Sequence, residues 1–246
     1  MILKTIPISE ERGSVLLAYL QDVGHSSVAI GPRPAMLVLP GGGYTHLSPR
    51  ESDPVAWVFL RAGFQVFTLN YSVGEHAAWP NPLTDYELAA AHIRAHAEEY
   101  QLDPRKLCVI GFSAGGHLAA AAATKAENRP DAAILGYALT LGEDARRHLA
   151  DAPDTVSAID EKTPPCFVFA TADDGVVPSR NSLAFAAEMV KKGRPVELHL
   201  YAYGSHGFSV GDPTALDPAI PLCERAKDWT EEAVSWLGEL FGRVGC

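Results

Sequence analysis

A serine hydroxyl is a weak nucleophile at neutral pH and attacks a carbonyl carbon only when a neighbouring base takes its proton. Residues 111–115 of this chain read Gly-Phe-Ser-Ala-Gly, directly after an apolar run and directly before an alanine-rich stretch. The pattern G-x-S-x-G in that setting places a serine on a sharp turn from strand to helix, where only glycines fit close beside it. Ser113 is therefore the candidate nucleophile. The bland alternative is a Gly/Ser turn without chemistry, and the partners found elsewhere in the chain count against it.

The base is sought among nine histidines. His206 lies in YGSHGFS, a glycine-rich loop after the last β-like run, and is the candidate. His92 and His96 share one helical stretch four residues apart, and His117 sits on the helix after Ser113, where packing is the expected role. An imidazole acting as base needs a carboxylate to hold its tautomer and to stabilise the imidazolium. Asp173 and Asp174, in ATADDGVVP just past another β-like run, are both candidates; the one not used would cap the turn or the following helix. A tetrahedral oxyanion also needs backbone N–H donors, and PGGGY at 40–44 ends an early strand with three glycines. The expected donors are Gly42 and Gly43 together with the N–H of Ala114. The glycine run lacks the spacing of a phosphate-binding loop. No metal-binding pattern such as H-E-x-x-H or paired C-x-x-C is present, and no cofactor is expected.

These residues need a scaffold that brings strand ends together. Near-continuous apolar runs at 34–40, 64–71, 106–112, 132–139, 166–171 and 196–202 suit strands buried on both faces. Helix-like stretches at 54–62, 82–100, 114–125, 179–192 and 222–240 alternate with them. The alternation predicts right-handed crossovers and a mostly parallel sheet flanked by helices, with residues 2–8 and 15–21 as an antiparallel hairpin on one edge. At 246 residues one α/β domain is expected, burying roughly 70–75% of its unfolded surface. Residues 141–165 have no clear strand and are the expected place for a small cap or binding loop.

Composition excludes several classes. A net charge of −10 argues against a phosphate-backbone partner, whose affinity comes from Lys and Arg. Cys108 and Cys166 sit inside apolar runs, and with Cys223 and Cys246 they do not read as a disulfide framework. The opening MILKTIPISEERGS has charge and proline where a secretory leader is apolar, and no run reaches a membrane span, so a cytoplasmic protein without membrane contact is expected.

The chain resembles the esterase/lipase branch of the α/β-hydrolase superfamily, which includes small acetyl esterases, acetyl-xylan esterases and feruloyl-esterase-like proteins. The likeness is carried by PGGGY, by LNYSV at 69–73, by the stretch from NPLTDYELAAAHIRAHAEEY to GFSAGGHLAA, by TADDGVVPSRNSL at 171–183 and by GSHGF at 204–208. The order serine, aspartate, histidine is also that of α/β-hydrolases. The resemblance implies Ser113 as nucleophile, His206 as base and Asp174 as orienting acid, because Asp174 stands four residues before Pro178 in a D-x-x-V-P arrangement. Pro40 stands where hormone-sensitive-lipase-like members carry histidine, and a serine stands where dienelactone hydrolases carry cysteine.

The resulting expectation is acyl transfer to water from small carboxylic esters, acetylated sugars among them, at an open, shallow site. Tyr44, Tyr71 and Trp79 near strand ends are candidates to line an apolar wall or stack on a sugar ring, with ordinary core as the alternative. Glu51 and Asp53 read as a solvated loop. Three rivals remain: a prolyl-oligopeptidase-like peptidase, for which the propeller-sized extra domain is missing; a non-catalytic binding protein on the same fold; and a lipase, for which no apolar lid is found.

Overall fold

The computed structural model describes residues 1–21 and 31–243; Cys246 lies outside the described residues. Eight strands form one sheet in the order β1-β2-β4-β3-β5-β6-β7-β8. They are β1 (Ile2–Ser9), β2 (Ser14–Leu20), β3 (Arg33–Leu39), β4 (Gln65–Asn70), β5 (Leu102–Phe112), β6 (Ala132–Gly136), β7 (Cys166–Thr171) and β8 (Val196–Tyr201). β1 and β2 pair as the expected antiparallel edge hairpin, and β2 meets β4 antiparallel. From β4 to β8 every pairing is parallel.

Burial explains the order. Every residue of β3, β6 and β7 is buried, as required of strands covered on both faces. β2 alternates buried with half-buried residues, and β1 and β8 are largely open to solvent at the two edges. Successive side chains of β3 enter opposite layers. Ala35, Leu37 and Leu39 join the core beneath α2 (Asn81–Ala95), α3 (Ser113–Lys125) and α5 (Arg180–Lys191). Met36 and Val38 join the core beneath α1 (Asp53–Arg61) and α6 (Trp229–Phe241). A single helical turn, α4 (Gly142–Ala145), lies between β6 and β7.

The structure corrects three boundaries read from sequence. The helix expected over 82–100 ends at Ala95, and the chain turns until Gln101, which has φ +54°. The strand expected over 132–139 stops at Gly136, because Tyr137 turns the backbone to φ +34°. The helix expected over 222–240 starts only at Trp229. Leu222 instead bridges to Gly204, and the Cys223 N–H donates to the Tyr203 carbonyl at 3.0 Å, so this segment braces the loop that carries His206.

Residues 141–165 contain no strand and fold down onto the core. Ala145, Ala152 and Ile159 are buried there, and Thr155 bonds Thr140 through both its N–H and its hydroxyl. Cys108, Cys166 and Cys223 are free thiols. Among the described residues, no helix is long and apolar enough to cross a membrane.

Candidate active site

Parallel strands point their carboxyl ends the same way, and the chain leaves β3 for β4 on one side and returns to β5 on the other. The crevice at such a switch point is where open α/β sheets carry their sites. The glycine run follows β3, Ser113 follows β5, Tyr137 follows β6, Asp173 and Asp174 follow β7, and His206 follows β8.

Ser113 has φ +53°, a left-handed conformation that a non-glycine residue adopts at a cost of about 1–3 kcal/mol. The surrounding glycines permit it. A Cβ on Gly115 would collide with the Leu39 and Pro40 carbonyls, and one on Gly116 would lie 2.9 Å from Cα of Ala138. α3, buried at every residue but its last, Lys125, therefore lies hard against the sheet, with the serine at its first residue.

The Ser113 hydroxyl is 2.9 Å from Nε2 of His206, and Nδ1 of His206 is 2.7 Å from Oδ2 of Asp174. Asp174 is an acceptor on both oxygens, since Oδ1 takes the N–H groups of Val176 (2.8 Å) and Val177 (2.9 Å). Its side chain is 1% exposed. With Oδ2 accepting, Nδ1 must carry the proton, which leaves Nε2 free to accept from the serine. Asp173 points elsewhere: its Oδ1 accepts the Gly204 N–H at 2.8 Å and ties the β7 loop to the His206 loop. Of the two aspartates that the sequence offers, Asp174 is the one hydrogen-bonded to His206.

The glycine run is shaped by its carbonyls. Gly42 O accepts the N–H groups of Thr45 and His46, and Gly41 O accepts that of Ser48. Gly42 and Gly43 have φ +126° and +61°, and a Cβ on Gly42 would collide with the His46 carbonyl. The N–H groups of Gly42 and Gly43 have no acceptor among the described residues. The Ala114 N–H lies in the first turn of α3, where no intrahelical acceptor exists.

Two expected lining residues are corrected. Tyr44 and Tyr71 are fully buried, and their hydroxyls are occupied, Tyr71 on the Pro40 carbonyl (2.6 Å) and Tyr44 on Nδ1 of His117 (2.7 Å). They pack edge to face and support the glycine run from behind. Trp79 is half-buried and stacks edge-on against His117. His117 has the packing role read from sequence: Nε2–H donates to the Pro153 carbonyl at 3.0 Å, so Nδ1 accepts from Tyr44.

Burial pushes the His117 pKa down to about 4. In the unfolded chain it protonates near 6.5, so the native state loses stability as pH falls from 6.5 toward 4, by up to about 3 kcal/mol. Urea melts of His117→Gln and wild type at pH 7.5 and 5.0 are expected to show the smaller acid-side loss in the variant.

Glu51 is a second correction. The sequence suggests a solvated loop, yet Glu51 is 2% exposed and its carboxylate bridges the Gly41 N–H (2.8 Å) and the Tyr137 hydroxyl (2.7 Å). Tyr137, which no motif singled out, stands edge-on to the His206 ring with centroids 4.9 Å apart. His148, from the 141–165 segment, reaches within 3.3 Å of the point where a Gly43 side chain would begin. Among the described residues, no group of three or more His, Cys, Asp or Glu side chains is placed to hold a metal ion.

The chain is similar to known proteins over most of its length. The BD-FAE family matches residues 22–138. MGS-M1, an α/β-hydrolase enzyme from a Medee basin deep-sea metagenome library, superposes with TM-score 0.89 at 38% identity over 98% of both chains. An acetyl ester-xyloside bifunctional hydrolase from Caldicellulosiruptor lactoaceticus superposes with TM-score 0.84 at 30% identity over 97% of both. The acetylxylan esterase of Xylanibacter ruminicola is 26% identical over 229 residues, covering 84% of this chain and 46% of that protein. The chain spans about a third to just over half the length of the curated xylanase and esterase relatives it matches first. With 38% identity and a TM-score of 0.89 over 98% of a solved α/β-hydrolase enzyme, the chain belongs to the esterase/lipase branch of the α/β-hydrolase superfamily.

Proposed function

We propose that this protein is a serine carboxylesterase that removes short acyl groups, acetyl above all, from small hydroxylated substrates such as acetylated sugars. The observation that carries the reading is the continuous relay from Ser113 through His206 to Asp174, with hydrogen bonds of 2.9 and 2.7 Å.

Ser113 attacks the ester carbonyl while Nε2 of His206 takes its proton, and Asp174 stabilises the imidazolium through Nδ1. The carbonyl oxygen becomes an oxyanion held by the N–H groups of Gly42 or Gly43 and of Ala114, which are fixed before the reaction and need no rearrangement. His206 then gives its proton to the departing alcohol. Water, deprotonated by His206, attacks the acyl-enzyme; the second tetrahedral intermediate collapses to release the carboxylic acid, and Ser113 regains its proton.

The preference for a short acyl group rests on the surroundings. Of the three residues expected to line an apolar wall or stack on a sugar ring, Tyr44 and Tyr71 are sealed in the core, Trp79 is half-buried, and His148 stands over Gly43. Names of the relatives, an acetylxylan esterase and an acetyl ester-xyloside hydrolase, support the sugar-acetate reading.

The test is turnover of p-nitrophenyl acetate, butyrate and octanoate beside an acetylated xylo-oligosaccharide. The expected outcome is kcat/KM falling at least tenfold from acetate to octanoate, with acetate released from the sugar. Flat or rising activity with acyl length would reject the short-acyl preference. Turnover of aminoacyl amides in preference to esters would replace the esterase reading with a peptidase.

A further inference from the structure

The proposed chemistry does not use Glu51, although it is one of the most buried charged groups in the protein. Its side chain stands at the centre of a hydrogen-bonded path between two loops that reach the site from different strands. On one side, Oε2 accepts the N–H of Gly41, the residue immediately before the two candidate oxyanion donors. On the other, Oε1 accepts the hydroxyl proton of Tyr137. The Tyr137 oxygen in turn accepts the N–H of Ser209, three residues after His206, at 3.1 Å. The Ser209 hydroxyl donates to the Arg50 carbonyl, and the Trp229 indole N–H donates to the Ser209 carbonyl at 2.8 Å.

Donor and acceptor roles along this path are forced. Both neighbours present N–H or O–H groups, so only a group accepting on both oxygens satisfies them, and a carboxylate does so. The path also joins strained backbone. Ser113, Tyr137 and Ser209 have φ of +53°, +34° and +50°, and Tyr44, beyond the glycine run, has +60°. Of the positive-φ non-glycine residues among those described, only Gln101 lies away from this region. Backbone held in such conformations persists where its surroundings over-determine it. Glu51 also lies close to the nucleophile: a Cβ on Gly41 would sit 2.6 Å from Oε2 and 3.1 Å from Cβ of Ser113, so only one glycine backbone separates them.

We propose that Glu51 is a positioning residue for acyl transfer, whose carboxylate sets the glycine-run donors and, through Tyr137, the His206 loop in register with Ser113. This role rests on the esterase reading. It acts on the transition state, because the oxyanion forms only there and a small displacement of its donors matters little to the bound ester.

Glu51→Gln is nearly isosteric but keeps one acceptor where two are needed. Either the Gly41 N–H faces an NH2 group, or the Tyr137 hydroxyl loses its acceptor. Removing one oxyanion donor outright costs about 10²–10³ in kcat in serine proteases, and a displaced donor should cost less, so a fall of about 10- to 100-fold is expected.

The experiment uses the full chain, with active sites counted by completed labelling with a fluorophosphonate, so that misfolded protein does not enter the rate. For Glu51→Gln, kcat per labelled site on p-nitrophenyl acetate should fall about 10- to 100-fold with KM within about threefold. Inhibition by phenylboronic acid, which forms a tetrahedral adduct on the serine, should weaken by a similar factor. Tyr137→Phe keeps the ring beside His206 and cuts the same path, so it should lower kcat per site about tenfold; it carries the test by itself if Glu51→Gln fails to fold. A kcat per site within twofold of wild type in the folded variants would overturn the proposal and leave Glu51 a structural anchor. A wild-type chain without Ser113-dependent ester turnover would overturn the esterase reading, and this role with it.

Discussion

Asp174→Asn is expected to lower kcat by about 10⁴, while Asp173→Asn lowers it less than tenfold. The contrast follows from what each carboxylate accepts. The Val176 and Val177 N–H groups converge on Oδ1 of Asp174, so an asparagine there must turn its oxygen toward them. Its NH2 group then faces Nδ1 of His206, which has to accept instead of donate. The imidazole proton moves to Nε2, the atom 2.9 Å from Ser113, and the base is lost although every heavy atom stays in place. At Asp173 one bond matters, from the Gly204 N–H, and an asparagine oxygen accepts it as well. Steady-state turnover of p-nitrophenyl acetate by both variants decides the matter. Equal losses would remove Asp174 from the proposed relay. A loss confined to Asp173→Asn would show that the geometry described above is not the reactive one.

Ser113→Ala should be the most damaging single change, lowering kcat by about 10⁶ and abolishing fluorophosphonate labelling. The deleted hydroxyl is a small group bonded to His206, and the residue keeps its left-handed turn, so the fold should be retained. A melting temperature close to that of the wild type would show it. Turnover persisting within a hundredfold of wild type would mean that another group attacks the ester. The same measurement separates an enzyme from a binding protein on this fold, because the latter would show neither labelling nor Ser113-dependent turnover to begin with.

Legibility in sequence tracked how local the cause was. The serine turn is written in five consecutive residues, and His206 in a short loop after an apolar run. The sheet was legible because its strands are buried on both faces and read as unbroken apolar runs. Asp173 and Asp174 could not be separated by pattern within the turn alone, since adjacent turn residues point in different directions and their partners, Gly204 and His206, lie some 30 residues away. The burial of Glu51 is illegible in sequence for a related reason. A charged residue among Pro, Arg, Ser and Asp reads as solvated, and only the Tyr137 hydroxyl, 86 residues later, together with Gly41 makes its burial favourable. Tyr44 and Tyr71 reverse the case: aromatics at strand ends suggest a substrate wall, but their hydroxyls find buried acceptors, and only the fold shows which side they face.

The left-handed residues around the site bear on any laboratory evolution of this protein. Tyr44, Ser113, Tyr137 and Ser209 hold conformations that glycine adopts without strain. At Ser113 a screen that rewards heat resistance alone would therefore favour glycine and discard the hydroxyl, whereas at the fully buried Tyr44 and Tyr137 the cavity left by glycine would cost more than the strain it relieves. Libraries selected for survival at high temperature should accumulate inactive, well-folded proteins altered at the Ser113 codon. Pairing each round with an activity screen, or fixing the Ser113 codon, would keep the nucleophile while stability improves elsewhere.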